Sequence, residues 1–131
     1  MISRLIGVLM LLEAGTFTIA SLIHFDLALP LGFTTLHGEP FTGAAIPEAI
    51  IAAVLLAGAI AYLVTSTGGW GLALGTSLFA LAGVIVGLSF ILRGPSRPGD
   101  LIYHLSILVA LLFTIGLLLT PSARPQRRMT D

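Results

Sequence analysis

The chain contains no cysteine and no lysine. Without cysteine there are no disulfides, no thiolate metal sites, no thiol redox chemistry and no covalently attached c-type haem. Charge is scarce as well: Asp, Glu, Lys and Arg make up 9% of 131 residues, where a soluble domain carries about 25%. So few charges cannot coat a soluble surface. The six basic residues are all arginines and are balanced by six acids, so the net charge of zero gives no sign of a nucleic-acid partner. No fixed-spacing metal motif such as HExxH is present.

What the chain has in abundance is apolar sequence: 56% hydrophobic residues and a mean hydropathy of +1.07. Four segments, 2–29, 46–65, 70–92 and 101–120, are each long enough to cross about 30 Å of hydrocarbon. The reading is all-α: an integral membrane four-helix bundle in the cell membrane, forming one domain, with residues 121–131 as a tail. A cleavable signal peptide competes for the N-terminus, but Glu13 interrupts what would have to be an uninterrupted apolar run.

Arginine placement sets the expected topology. Arg4, Arg124, Arg127 and Arg128 lie on one side, and Arg93 and Arg97 on the other. The positive-inside rule then puts both termini in the cytoplasm. Residues 30–45 form a long outer loop rich in Gly, Thr and Pro, with His37, Glu39 and Phe41, and are expected to pack on the bundle as a cap. Pro47 is expected to open the second helix, with Glu48 in its first turn near the positive end of the dipole. Asp100 is expected to cap the fourth helix. In the third helix Gly71, Gly75, Gly83 and Gly87 are spaced in multiples of four, which predicts one small-residue face for packing within the bundle or for a homo-oligomer seam.

The first helix carries two ionisable residues, Glu13 and His24, eleven positions apart. Helical geometry brings them within about 20° of each other and separates them by roughly 16 Å. Thr16, Phe17 and Ala20 lie between them on the stripe. Ionisable groups at membrane depth are costly and ask for a partner or a purpose. In the predicted topology His24, Asp26, His37, Glu39, Glu48, Asp100, Tyr103 and His104 all fall on the outer side, which gathers every histidine and four of the six acids.

Three readings compete for this pattern. In the first, His24 and His104 ligate haem b axially, or join Glu48 as a two-His, one-carboxylate set for a transition metal ion. His37 and Glu39 would close the site from the loop, Asp100 would support His104, and Tyr103 would hydrogen-bond a ligand. Electron exchange with a quinone or a membrane redox partner would be the reaction, with Glu13 as a proton carrier. In the second, Glu13 is the shared carboxyl of a proton-coupled transporter, at which substrate and proton compete. Residues 7–16, with Glu13 followed by Gly15 and Thr16, are similar to the first helix of small multidrug resistance transporters. In the third, the protein is an accessory subunit: Glu13 hydrogen-bonds a Thr or backbone in a neighbouring helix, and the outer groups are wetted by water and lipid headgroups.

One further resemblance rests on Arg4, Leu5, Ile6 and Gly7, the apolar run to Gly15, and Glu48 opening a small-residue helix that ends Leu56, Ala57, Gly58. This pattern resembles the DoxX-like superfamily of four-helix membrane proteins. The resemblance implies that topology, a redox role linked to quinones, and a carboxylate at Glu48.

Overall fold

The computed structural model describes residues 2–30, 32–37, 40–65, 69–94 and 98–124. Four long helices follow one another: α1 (Ile2–His24), α2 (Thr42–Val64), α3 (Gly69–Ile91) and α4 (Pro98–Leu119). A 23-residue helix rises about 34 Å, and all four are apolar enough to span a bilayer. This is an all-α four-helix bundle and a multi-pass membrane protein. The helices alternate in direction, so both described ends of the chain lie on one face.

Neighbours in sequence are neighbours in space. The α1–α2 contact is the most extensive, and the seam that closes the ring, α1 against α4, is the sparsest. The interior is built from small and medium side chains, including Met10, Ala14, Ala52, Leu55, Ala59, Ala73, Ala80 and Leu111. Large apolar residues point outward, Leu12, Phe90 and Val109 among them. That inversion of a soluble protein is expected where the surrounding medium is hydrocarbon. Helices there associate through close packing and hydrogen bonds, with no apolar surface to hide from water. Gly58 shows the packing at its tightest: a β-carbon there would lie 3.0 Å from that of Thr76 and 3.1 Å from the Met10 methyl group.

Several boundaries differ from the sequence reading, each for an identifiable reason. α1 ends at His24, before the apolar run does. Asp26 adopts a left-handed conformation, φ 65°, its N–H donates to the Ile23 carbonyl at 3.0 Å, and that of Leu27 donates to Leu22 at 3.0 Å. This is a Schellman stop with Asp in the place usually taken by Gly. α2 begins at Thr42, so Pro47 lies inside the helix and does not open it. The first turn is already closed by the N–H groups of Ala44 and Ala45, which donate to the Phe41 carbonyl. Glu48 therefore sits in the second turn, where the dipole argument no longer places it. Asp100 lies within the first turn of α4, which starts at Pro98, and so is not its cap.

The glycines of α3 do not share a face either. Gly71 and Gly75 have open space beside them, whereas Gly83 meets the Ile51 side chain and Gly87 meets His104. Each step of four residues turns the helix by about 40°, so the row winds from the lipid side to the interior.

Between α1 and α2 the loop forms a two-residue antiparallel ladder, β1 (Leu29–Pro30) against β2 (Thr35–Leu36). Its described turn is exposed, Phe33 to 89%. The loop is anchored where Phe41 meets the end of α1: its N–H donates to the His24 carbonyl at 2.9 Å, and the two rings meet edge to face at 6.4 Å. Glu39, Arg97, Arg127 and Arg128 lie outside the described residues.

Candidate functional site

On the loop face, α1 and α2 bring together the one ion pair among the described residues. His24 Nδ1 stands 2.6 Å from Glu48 Oε2. Glu48 is buried and His24 partly exposed, its side chain to 23%. Glu48 can be reached because the early start of α2 turns positions 45, 48, 51, 52 and 55 inward toward α1 and α3. One turn below, the Ser21 hydroxyl donates to the Ala45 carbonyl at 2.8 Å, which ties the same two helices together. His104 and Asp100, on α4, lie within electrostatic range of the Glu48 carboxyl.

Beside this pair a crevice opens through the sparse α1–α4 seam. Its volume is about 310 Å³, and it is lined by Thr16, Ile19, Ala20, Ile23, His24, Asp100 and Tyr103. That volume lies at the small end of ligand pockets, about 300–1,000 Å³. Ile19, Ala20 and Ile23 give it an apolar wall, and the polar groups cluster at its loop end and floor. Tyr103 crosses the floor. Its ring meets Phe17 edge to face at 6.4 Å and His104 at 5.2 Å. Its hydroxyl is buried without a well-formed hydrogen bond; the Thr16 hydroxyl lies beside it but is donated to the Glu13 carbonyl at 2.8 Å.

Deeper in the same seam, Glu13 is 3% exposed. Its Oε1 accepts a hydrogen bond of 2.6 Å from the Thr114 hydroxyl on α4, and its Oε2 is buried with no partner. Here the expectation of a Thr partner in a neighbouring helix is met. Glu13 and His24 share the stripe on α1 but turn to different neighbours, Glu13 to α4 and His24 to α2.

The other expected site residues are placed as follows. His104 is held through Nδ1, 2.9 Å from the backbone carbonyl of Asp100; the support comes from the main chain and not from the Asp100 carboxylate. Its Nε2 stands over Gly87 of α3, where a β-carbon would be 2.7 Å away. His37 is exposed, with Nδ1 3.1 Å from the carbonyl of Thr35 in its own hairpin. A metal set would need its ligands together, and no group of three or more His, Asp or Glu gathers closely enough among the described residues to hold an ion. The imidazoles of His24 and His104 have their Nδ1 atoms anchored, which suits an axial haem ligand, but His104 directs Nε2 at α3 and not into the crevice.

Two features escaped the sequence reading. Thr114 is one of several hydroxyl residues scattered through apolar helices, and nothing in its position singles it out. At the opposite face, Trp70 Nε1 donates to the Leu118 carbonyl at 2.7 Å, Arg124 lies over the Trp70 ring at 5.5 Å, and the Tyr62 hydroxyl reaches the Ala123 carbonyl at 3.3 Å. Aromatic residues at helix ends are the available signal for such an interfacial clamp.

Comparison with family models, with curated proteins and with solved structures finds no match to this chain. The DoxX-like resemblance accordingly rests on the motifs that suggested it.

Proposed function

We propose that this protein binds the head group of a quinol or quinone in the α1–α4 crevice and takes part in its redox exchange with a membrane partner. The observation that carries the reading is the His24–Glu48 pair, 2.6 Å apart, beside a seam-level crevice that also holds an unpartnered Tyr103 hydroxyl. A quinone head presents oxygens at its two ends and trails an apolar tail. The crevice offers an acceptor system at one end, His24 backed by Glu48, and a phenolic donor on its floor. The crevice lies between two helices long and apolar enough to span a bilayer, so in this reading a tail remains in hydrocarbon while the head enters sideways between them.

Oxidation of a quinol releases two electrons and two protons. The electrons go to the redox partner, His24 takes one proton from a departing hydroxyl with Glu48 stabilising the imidazolium that forms, and the second proton leaves to water at the loop face. Positive-inside placement of Arg4 and Arg124 against Arg93 orients the termini toward the cytoplasm, so the crevice opens in the outer leaflet. Phe41, packed on His24, is the loop's contribution to covering the site.

Equilibrium binding of a short-tailed benzoquinone to the protein in lipid nanodiscs tests the reading. Saturable one-to-one binding is expected, lost in His24→Ala and weakened in Tyr103→Phe. Equal binding by wild type and His24→Ala refutes it.

One observation favours a second reading, haem b held by His24. Its ring is fixed through Nδ1, leaving Nε2 as the ligating atom, whereas the Nε2 of His104 is packed against Gly87. A Soret band that shifts on reduction, and that disappears in His24→Ala, is its signature. A preparation that stays colourless after reconstitution with haem removes it.

A further inference from the structure

Glu13 has no part in the crevice chemistry, yet it is the most buried acid in the described chain and only half satisfied. Its Oε1 is taken by Thr114 and its Oε2 faces no donor or acceptor. One helical turn nearer the loop face, about 4.5 Å of rise away, Thr16 lines the crevice beside Tyr103, whose hydroxyl is also buried without a partner. Two orphaned oxygen groups in one seam, with the Thr16 hydroxyl one turn from Glu13 and bonded to its backbone carbonyl, are the polar surroundings that hold internal water. A buried polar group left unpaired is costly, a penalty that ordered water removes.

We propose that internal water between the Tyr103 hydroxyl and Glu13 Oε2 connects the crevice to Glu13 and delivers protons to it. The transfer is a relay. A proton arriving in the crevice is passed to the phenol oxygen as the phenol hands its own proton to the next water. That water in turn protonates Glu13 Oε2. One proton enters, one is stored, and no electron moves. Thr16 holds the water in line from the α1 side. The path ends at Glu13: on the far side lie Met10 and Ile6, both fully buried and apolar. This inference rests on the seam geometry and stands whether or not the crevice takes a quinol.

Infrared spectroscopy of the protein in nanodiscs, transferred rapidly into D2O, tests it. The result expected is a carboxylic-acid carbonyl band that is absent from Glu13→Gln and shifts to its deuterated position within the mixing time. In Tyr103→Phe, which keeps the ring packed on Phe17 and His104, and in Thr16→Val, the shift slows on the order of a hundredfold, the scale on which removal of a positioned proton-transfer group acts. Circular dichroism of the variants, matching wild type, shows that slowing is not unfolding. The proposal is overturned by a Glu13 band that stays unshifted for hours in the wild type. It is equally overturned by exchange at the same rate in all three proteins, or by the absence of any Glu13 band across neutral and acidic pH.

Discussion

Replacing Thr114 by Val tests the interior of the bundle most sharply. The two side chains have the same shape, so the change deletes the hydroxyl that donates to Glu13 Oε1 at 2.6 Å and little else. Thr114 is fully buried, and Glu13 already has one oxygen without a partner. Two magnitudes bracket the outcome. A hydrogen bond between membrane helices averages about 0.6 kcal/mol, because the unfolded helices also find partners. A buried acceptor stripped of its donor costs about 1–3 kcal/mol. The second governs here, since the valine methyl fills the space through which another donor would have to approach. A loss of about 1–2 kcal/mol is expected. The assay is reversible unfolding in mixed micelles, as a double-mutant cycle with Glu13→Met. Removing both partners in favour of apolar groups of similar shape is nearly neutral, so the double variant is expected to be more stable than Thr114→Val alone. Additive effects in the cycle would refute the reasoning, as would a Thr114→Val protein indistinguishable from wild type.

Three further outcomes follow from the packing. Gly58→Ala forces a methyl group against Thr76 and Met10 and is expected to destabilise by about 1–3 kcal/mol, with partial recovery in Gly58→Ala/Thr76→Ala; Gly75→Ala, with open space beside it, is expected to be neutral or mildly stabilising in the same titration. Asp26→Gly relieves a left-handed backbone at φ 65° and is expected to stabilise by up to about 1 kcal/mol, read as a raised melting temperature in detergent. Trp70→Phe removes both the bond to Leu118 and the contact with Arg124 and is expected to cost about 1 kcal/mol, with faster proteolysis of the segment after Leu119.

The helices were legible because apolar runs of bilayer length admit few alternatives. Their ends were not, because they depend on single residues acting against the trend. Asp26 stops α1 through a backbone conformation that glycine usually supplies, and Pro47 looks like a helix opener although the Phe41 carbonyl has already closed a turn upstream. Within the site, periodicity put Glu13 and His24 on one stripe, and alternation of direction put His24, Glu48, Tyr103 and His104 at one end. Pairing was beyond it. Whether His24 meets Glu48 or His104 depends on helix rotation by a few tens of degrees, which is set by contacts such as Gly58 on Thr76 and Gly87 on His104. The α3 glycines show the same limit: spacing in fours reads as a face until the drift of about 40° per step is followed around the helix.

The central claim is that the seam between α1 and α4, beside the His24–Glu48 pair, receives a quinone head group. Photolabelling of the nanodisc-embedded protein with an azido-benzoquinone, followed by peptide mapping, addresses it directly. The account predicts label on the crevice walls, around Ile19, Ile23 and Tyr103, suppressed by excess unlabelled quinone and by His24→Ala. Label confined to the outward faces of α2 and α3, or unaffected by competitor, would contradict it.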